Sequence, residues 1–467
     1  MSESVPSPHE PGPFGSLADF VAIPRIGSLA LSADGFRLAV SVATLDPERK
    51  KWQSALWEVD PAGQRSARRL TRSAPGESSP AWAPDGSLLF TSARPDPAVK
   101  EDGDPKPALW SLPAGGGEAR PVLTRPGGIG GFAVAADSGD VVVSSATMRG
   151  GSEAADDEAR RTKRKDAGVS AILHDAYPVR FWDHDLGPAV PHVFWAGQPP
   201  EEEPAGPPVA LRDLTPDAAP PTGADGDLRL SPDGGLLVRT EDVPDGPAGR
   251  RSRIVLTDTS TGETRPLVDD PLADVYAASF SPDGSTLVCV RESLPTYDEP
   301  PDYTLLLVDA GSGTAQELTE GFDRWPSAPQ FSADGSAVYF LADEDGRHAI
   351  FRIRVSGGDP VRLTGDGAYS DLQVARDGRA LYALRSACDS PAQPVRLDPE
   401  RAMQEPHVLP SPGTLAALPG TLQELPATAP DGARVQSWLV LTRIQRACTA
   451  GANARLVASP GETSRCW

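Results

Sequence analysis

A short motif, a small or polar residue followed by x-Asp-Gly, recurs along the chain. It reads SADG at Ser32–Gly35, APDG at Ala83–Gly86, SPDG at Ser231–Gly234 and Ser281–Gly284, SADG at Ser332–Gly335 and ARDG at Ala375–Gly378, with a degenerate AADSG at Ala135–Gly139. The aspartates stand at 34, 85, 137, 233, 283, 334 and 377, so their spacings are 51, 52, 96, 50, 51 and 43 residues. Self-similarity at such a period constrains a fold more than any local propensity, because each repeat has to be one structural unit.

The flanks define the unit. After each Asp-Gly comes an alternating apolar run, such as FRLAVSVA, GLLVRT or SAVYFLA. Asp-Gly supplies the positive φ of a tight turn, and the period of two is that of a half-buried strand. A second strand pair follows around a Gly-containing turn, as in LWSLPAGGGEA and LLVDAGSGTAQEL. A Leu-Thr then closes most units, at Leu70-Thr71, Leu123-Thr124, Leu214-Thr215, Leu318-Thr319 and Leu363-Thr364, with Leu267-Val268 as a variant. Four strands per period make one propeller blade, and seven copies predict an all-β, seven-bladed β-propeller. The 45 Gly and 50 Pro among 467 residues suit a chain with this many turns.

The 96-residue gap holds an insertion, about residues 149–226. Ser152–Lys165 is a helix candidate: acids lead, bases follow, Asp156–Arg160 and Asp157–Arg161 are i,i+4 pairs, and Gly168 stops it. Its basic end reads as a solvated excursion rather than a docking patch. Gln198–Gly226, rich in Pro, Ala and acids, reads as an extended surface loop.

A net charge of −21 disfavours nucleic acid and anionic lipid as partners. The first residues carry neither a basic nor an apolar leader region, and no apolar run reaches membrane-spanning length. Cys289, Cys388, Cys448 and Cys466 form no CxxC pair, and His9, His174, His184, His192, His348 and His407 show no ligand spacing, so no cofactor or metal is expected. The EF-hand calcium pattern is also lacking. These features together imply a cytoplasmic protein.

The blades, with ALWSLPAGGGEARPVLT at Ala108–Thr124, resemble the propeller of prolyl-oligopeptidase-family (S9) serine peptidases, in the acylaminoacyl-peptidase and dipeptidyl-aminopeptidase-like branch. Lys163–Gly187 resembles their mid-propeller stretch and Ser16–Gly35 their start. Leu422–Leu441 is similar to the entry into their α/β-hydrolase domain. The resemblance implies a two-domain peptidase whose propeller covers a Ser-Asp-His site in a hydrolase domain in cis and admits short peptides. It also implies a division into residues 1–26, a propeller over 27–420, the first hydrolase strands over 421–441, and a foreign, disordered tail over 442–467. The tail holds Arg443, Arg446, Arg455 and Arg465 against Glu462 alone, which fits a frameshifted or truncated reading frame.

No G-x-S-x-G occurs; Gly76-Glu77-Ser78 lacks the closing Gly. A serine hydroxyl needs an adjacent base and a strained elbow to act as nucleophile, so no catalytic residue is assigned and this chain alone is expected to be inactive. A stand-alone TolB-like propeller that binds protein partners is the alternative. Candidate gating residues lie in the densest aromatic and titratable cluster: His174, Tyr177, Arg180, Phe181, Trp182, Asp183 and His184. Arg180, Trp182, Asp183 and His184 stand first among them, against a packing role in which the aromatics fill the blade interface and Arg180 pairs with Asp183. Trp57, Trp82, Trp110 and Trp325 read as core. Asp343, Glu344 and Asp345 are candidates for attracting a peptide amino terminus, or simply a solvated loop.

Overall fold

The computed structural model describes residues 16–96, 105–174, 179–199, 211–218, 228–246, 249–413, 418, 420–442 and 455–458. These residues are almost entirely β. Strands pair antiparallel in chain order in groups of four, and each group contains one Asp-Gly turn between its first and second strands. The Asp34 quartet, for example, comprises Arg25–Leu31, Leu38–Leu45, Trp52–Val59 and Arg68–Arg69. The quartets of Asp85, Asp137, Asp233 and Asp283 are likewise separate four-stranded sheets. Those of Asp334 and Asp377 join into one eight-stranded sheet through a single parallel bridge, His348 to Ala368.

The repeated residues have local tasks. In four turns the serine hydroxyl donates to the aspartate two residues on, at 2.6 Å for Ser32–Asp34, 2.5 Å for Ser231–Asp233 and 2.6 Å for both Ser281–Asp283 and Ser332–Asp334. The same hydroxyl accepts from the backbone N–H that opens the next strand, as Ala337 N–H to Ser332 Oγ. The aspartate accepts from the N–H two residues further, as Ser336 N–H to Asp334 Oδ1. Gly335 takes φ +72, which only glycine adopts without strain. The Leu-Thr signature is equally specific. Its leucine is buried at 123, 214, 318 and 363 and partly buried at 70, and its threonine hydroxyl accepts an N–H of the third strand where the short fourth strand has run out. Thr71 takes Leu56, Thr215 takes Val193, Thr319 takes Leu305 and Thr364 takes Ile350. The copy at Thr124 is exposed instead.

Alternate residues of each strand enter different apolar clusters. Val288 and Val290 pack with Phe331, Phe340 and Phe351 of the Asp334 quartet, whereas Leu287 and Cys289 pack with Val238 and Leu256 of the Asp233 quartet. Every neighbouring pair of quartets shares such a cluster. One more joins Leu29, Leu38 and Val40 of the Asp34 quartet to Ala380, Tyr382 and Leu384 of the Asp377 quartet, the two ends of the series. No strand is exchanged between those two quartets among the described residues.

Several expectations need correction. The helix runs Ala154–Asp166, slightly later than its sequence signals; the Asp157–Arg161 pair forms at 3.1 Å, with Asp157 buried and also accepting the Met148 N–H. Within the expected Gln198–Gly226 loop, Arg212–Asp213 is an edge strand and Leu214 is core, because the Asp137 quartet needs its fourth strand there. Trp110 is core and Trp57 and Trp82 pack against clusters, but Trp325 is 54% exposed. In the foreign tail, Arg455–Ala458 forms a strand against Ser437–Thr442.

Two measurements check this account. Thr364→Val leaves the buried Ile350 N–H without an acceptor and should destabilise by about 1–3 kcal/mol, read from urea unfolding. The serine hydrogen bonds hold Asp34, Asp233, Asp283 and Asp334 below the ordinary 3.8, Asp334 at about 2. A depressed carboxylate stabilises the fold above its unfolded pKa and loses that contribution as pH falls through its folded value. The urea midpoint should therefore drop as pH falls from about 4 towards about 2, and Asp334→Asn should flatten that slope.

Candidate functional site

An antiparallel quartet places its first and third turns at one end, and its second turn and the link to the next quartet at the other. The first end carries the tight Asp-Gly turns. The second end carries the long connections: Met148 to Ala189, Ser293 to Tyr303, and the links ending at Leu272 and Trp325. Most of the large exposed apolar side chains of the quartets lie at this end, including Trp52, Leu173, Trp182, Leu272, Tyr297 and Trp325, against Phe36, Val361 and Met403 at the other. Apolar surface concentrated on one face marks an interaction face.

The Asp137 insertion contributes the helix and a small hairpin to it. Arg180–Phe181 pairs with His184–Asp185. Arg180 bonds Asp185 at 3.0 Å, and His184 meets Asp183 at 2.7 Å, all exposed. Trp182, at the tip, is 86% exposed with φ +52. The packing role expected for Trp182 is thus overturned, and Arg180 selects Asp185 rather than Asp183, since cross-strand register sets the partner. His174 is exposed on the same insertion, whereas Tyr177 and the Phe181 side chain lie outside the described residues.

A second sheet meets this end through the Asp334 quartet. Gly420–Glu424 pairs with Ser437–Thr442, and Trp438, buried, lies against Gly346. Arg347 bonds Glu424, and Arg434 bonds Asp345 at 2.7 Å. The three candidate acids are therefore already partnered. Asp343 faces His348 at 2.7 Å, Glu344 takes Arg324 at 2.9 Å and Arg362 at 2.7 Å, and Asp345 takes Arg434. Burial would raise the Glu344 pKa, but the two guanidinium groups outweigh it and lower it. These acids are structural anchors, a role that their spacing in the chain could not reveal.

Sequence reading passed over a different group at the same end: Tyr276 and Tyr303 both donate to Glu292, beside Trp325. Asp371 was also unmarked. It exposes more than a third of its surface, while desolvation raises its carboxyl pKa against the hydrogen bonds it accepts. Among the described residues no His, Cys, Asp or Glu group has the arrangement of a metal site, and no helix is long and apolar enough to cross a membrane.

No family model matches the sequence. The chain is similar to dipeptidyl-peptidase 5 of Porphyromonas gingivalis, with 23% identity over 434 residues that cover 90% of this chain and 60% of the relative. It therefore spans about three fifths of that relative's length. Among solved structures it resembles Pyrococcus horikoshii acylaminoacyl peptidase (TM-score 0.61, 14% identity, 90% of this chain and 58% of that one). It also resembles the β-propeller domain of the Trilobed protease from Pyrococcus furiosus, described as having an open velcro topology (TM-score 0.54, 12% identity, 83% of this chain and 97% of that one). These structural likenesses identify the fold as β-propeller-like.

The anchor of the second sheet is testable. Gly346 has φ +69, and a Cβ there would overlap the Trp438 indole. Gly346→Ala should cost about 1–3 kcal/mol and loosen the sheet, seen as faster proteolysis between residues 424 and 434.

Proposed function

We propose that this S9-peptidase-like, propeller-containing protein closes its quartets into a seven-bladed ring whose long-loop face covers a peptide-hydrolysing site and admits short peptides. The observation that carries this reading is the seating of the Gly420–Thr442 sheet on the Asp345–Arg347 turn of that face. A hydrolase domain following this sheet would cover exposed apolar side chains of the same face, and removing them from water favours such an association. The cluster shared by the Asp34 and Asp377 quartets supports ring closure by side-chain packing alone.

In this reading residues 27–420 are the propeller, with the insertion at about 149–226, and 421–441 open a hydrolase domain. Arg180, Trp182, Asp183 and His184, on their exposed hairpin, form part of the rim that a peptide meets. Arg180 would approach a carboxylate and Trp182 an apolar side chain. Amide hydrolysis needs a nucleophile, a base that takes its proton and donors for the oxyanion. The sequence lacks the G-x-S-x-G elbow that presents such a serine, so the hydrolytic step belongs to residues outside it. The relative's name, dipeptidyl-peptidase 5, points to short peptides as the substrate class.

The purified chain should show no turnover of dipeptidyl p-nitroanilides and no labelling by a fluorophosphonate. Turnover abolished by a serine-directed inhibitor would overturn the reading, as would a ring with another number of sheets. Trp182→Ser, at an exposed tip, should leave stability within about 0.5 kcal/mol. In a full-length peptidase the same change should alter KM for peptides more than for p-nitroanilides.

A further inference from the structure

We propose that a cavity between the Asp85 and Asp137 quartets, at the Asp-Gly end, binds a small polyol through Asp85, Ser87, Ser111 and Gln198. It lies at the end of the sheets away from the long loops and is independent of the peptide-admitting reading.

Three departures from the repeat meet there. The turn serine is replaced by Ala83, so among the described residues Asp85 accepts only the Ser87 N–H, at 2.8 Å. Ser111 stands opposite Leu89, whereas Val59, Val308, Ile353 and Leu397 hold the same register position in four other quartets. The third connection of the Asp137 quartet, short elsewhere, runs from Ala196 to Arg212. Its Gln198 lies across the neighbouring turns: a Cβ on Gly139 would meet Gln198 Cγ at 3.1 Å and Pro84 Cδ at 3.3 Å.

Small side chains at 83 and 111 leave space between the two sheets, and Gln198 helps to wall it. The result is a cavity of about 220 Å³, with Leu89 and Pro113 as apolar wall. Asp85 is half-buried within it, while the other six turn aspartates are exposed. Ser111 lines the same space and is only 8% exposed. The Ser87 and Ser111 hydroxyls and the Gln198 amide make no hydrogen bond among the described residues. A buried hydroxyl without a partner is costly, and a ligand that supplies one recovers that cost.

The lining selects the ligand. In four sister turns the aspartate takes a serine hydroxyl at 2.5–2.6 Å, so a hydroxyl is the group this carboxylate lacks. Its two oxygens can accept neighbouring hydroxyls, and the serines and the amide can each donate or accept. An ammonium only donates and would leave half of that capacity unused. Among the described residues no Lys, Arg or aromatic ring lines the cavity, so nothing there holds an anion or stacks a flat ring. At about 30 Å³ per water the space holds roughly seven, about the size of a four- or five-carbon polyol. Open-chain sugar alcohols and ring-form sugars share this chemistry.

The test is saturation-transfer NMR of the chain with meso-erythritol, D-xylose and 1,4-butanediol, which lacks neighbouring hydroxyls. The first two ligands report the open-chain and ring sources separately. At least one should bind with millimolar affinity, and 1,4-butanediol should not. Asp85→Asn should weaken binding about tenfold or more, as loss of a charged acceptor implies. Ser111→Val restores the residue type of the sister quartets and fills the cavity. It should therefore abolish binding while melting no lower than the parent, and it decides the matter if Asp85→Asn fails to fold. Equal signals from erythritol and 1,4-butanediol, no binding of either polyol at about 50 mM, or unchanged binding by folded Ser111→Val overturns the proposal. No peptide enters the experiment, so that failure leaves the gating reading standing, and turnover by the isolated chain would overturn gating without touching polyol binding.

Discussion

A sheet whose strands are apolar on both faces cannot stand alone in water, and this constraint organises the whole molecule. In the Asp334 quartet, Ala337–Ala342 is buried at every position, with alternate residues committed to opposite neighbours. Phe340 and Phe351 stack at 5.6 Å with Phe322 set edge-on against both, one side of a single sheet. At about 25 cal/mol per Å² of apolar area, each such face contributes more than the turns that close it. Stacking has to continue until the first quartet meets the last, as the cluster around Leu38 and Tyr382 does.

Packing that needs only the flat faces leaves the two ends of each sheet free for different uses. At one end, the Ser-x-Asp-Gly turn satisfies its own backbone groups within six residues, which leaves little room for insertion. At the other end nothing in the stacking limits loop length, so the helix of Ala154–Asp166, the Trp182 hairpin and the Gly420–Thr442 sheet all fall there. Asp157 and Arg161 hold the helix to the Met148 strand end, so the excursion stays anchored at its root. Chemistry concentrates on the face where length and side chain are least constrained by the core.

Much of this was legible in the residues. The Asp-Gly period, alternating strands, Leu-Thr closures and dipole-ordered helix are local signals with local causes. Other features have no local cause. Ser79, Ala277, Ala328 and Asp371 each lie six residues before a turn aspartate, adopt φ between +47 and +54, and form bulges in the first strands of their quartets. None is glycine, so the sequence carries no mark of them. Trp325 reads as one more buried blade tryptophan until Tyr303 is seen to hold it at the surface. The acids at 343–345 read as free charge until His348 and the arginines from distant segments arrive.

The amino-acid sequence alone determined the repeat, the all-β class and the absence of a serine elbow, because a turn, a strand period and a short motif are each written within a few residues. Only the tertiary structure decided which charges are cancelled and which remain. Pairing depends on separations of a few ångströms between groups far apart along the chain. That is why Glu344 emerges as an anchor held by Arg324 and Arg362, and Glu292 as an acid held by two phenols.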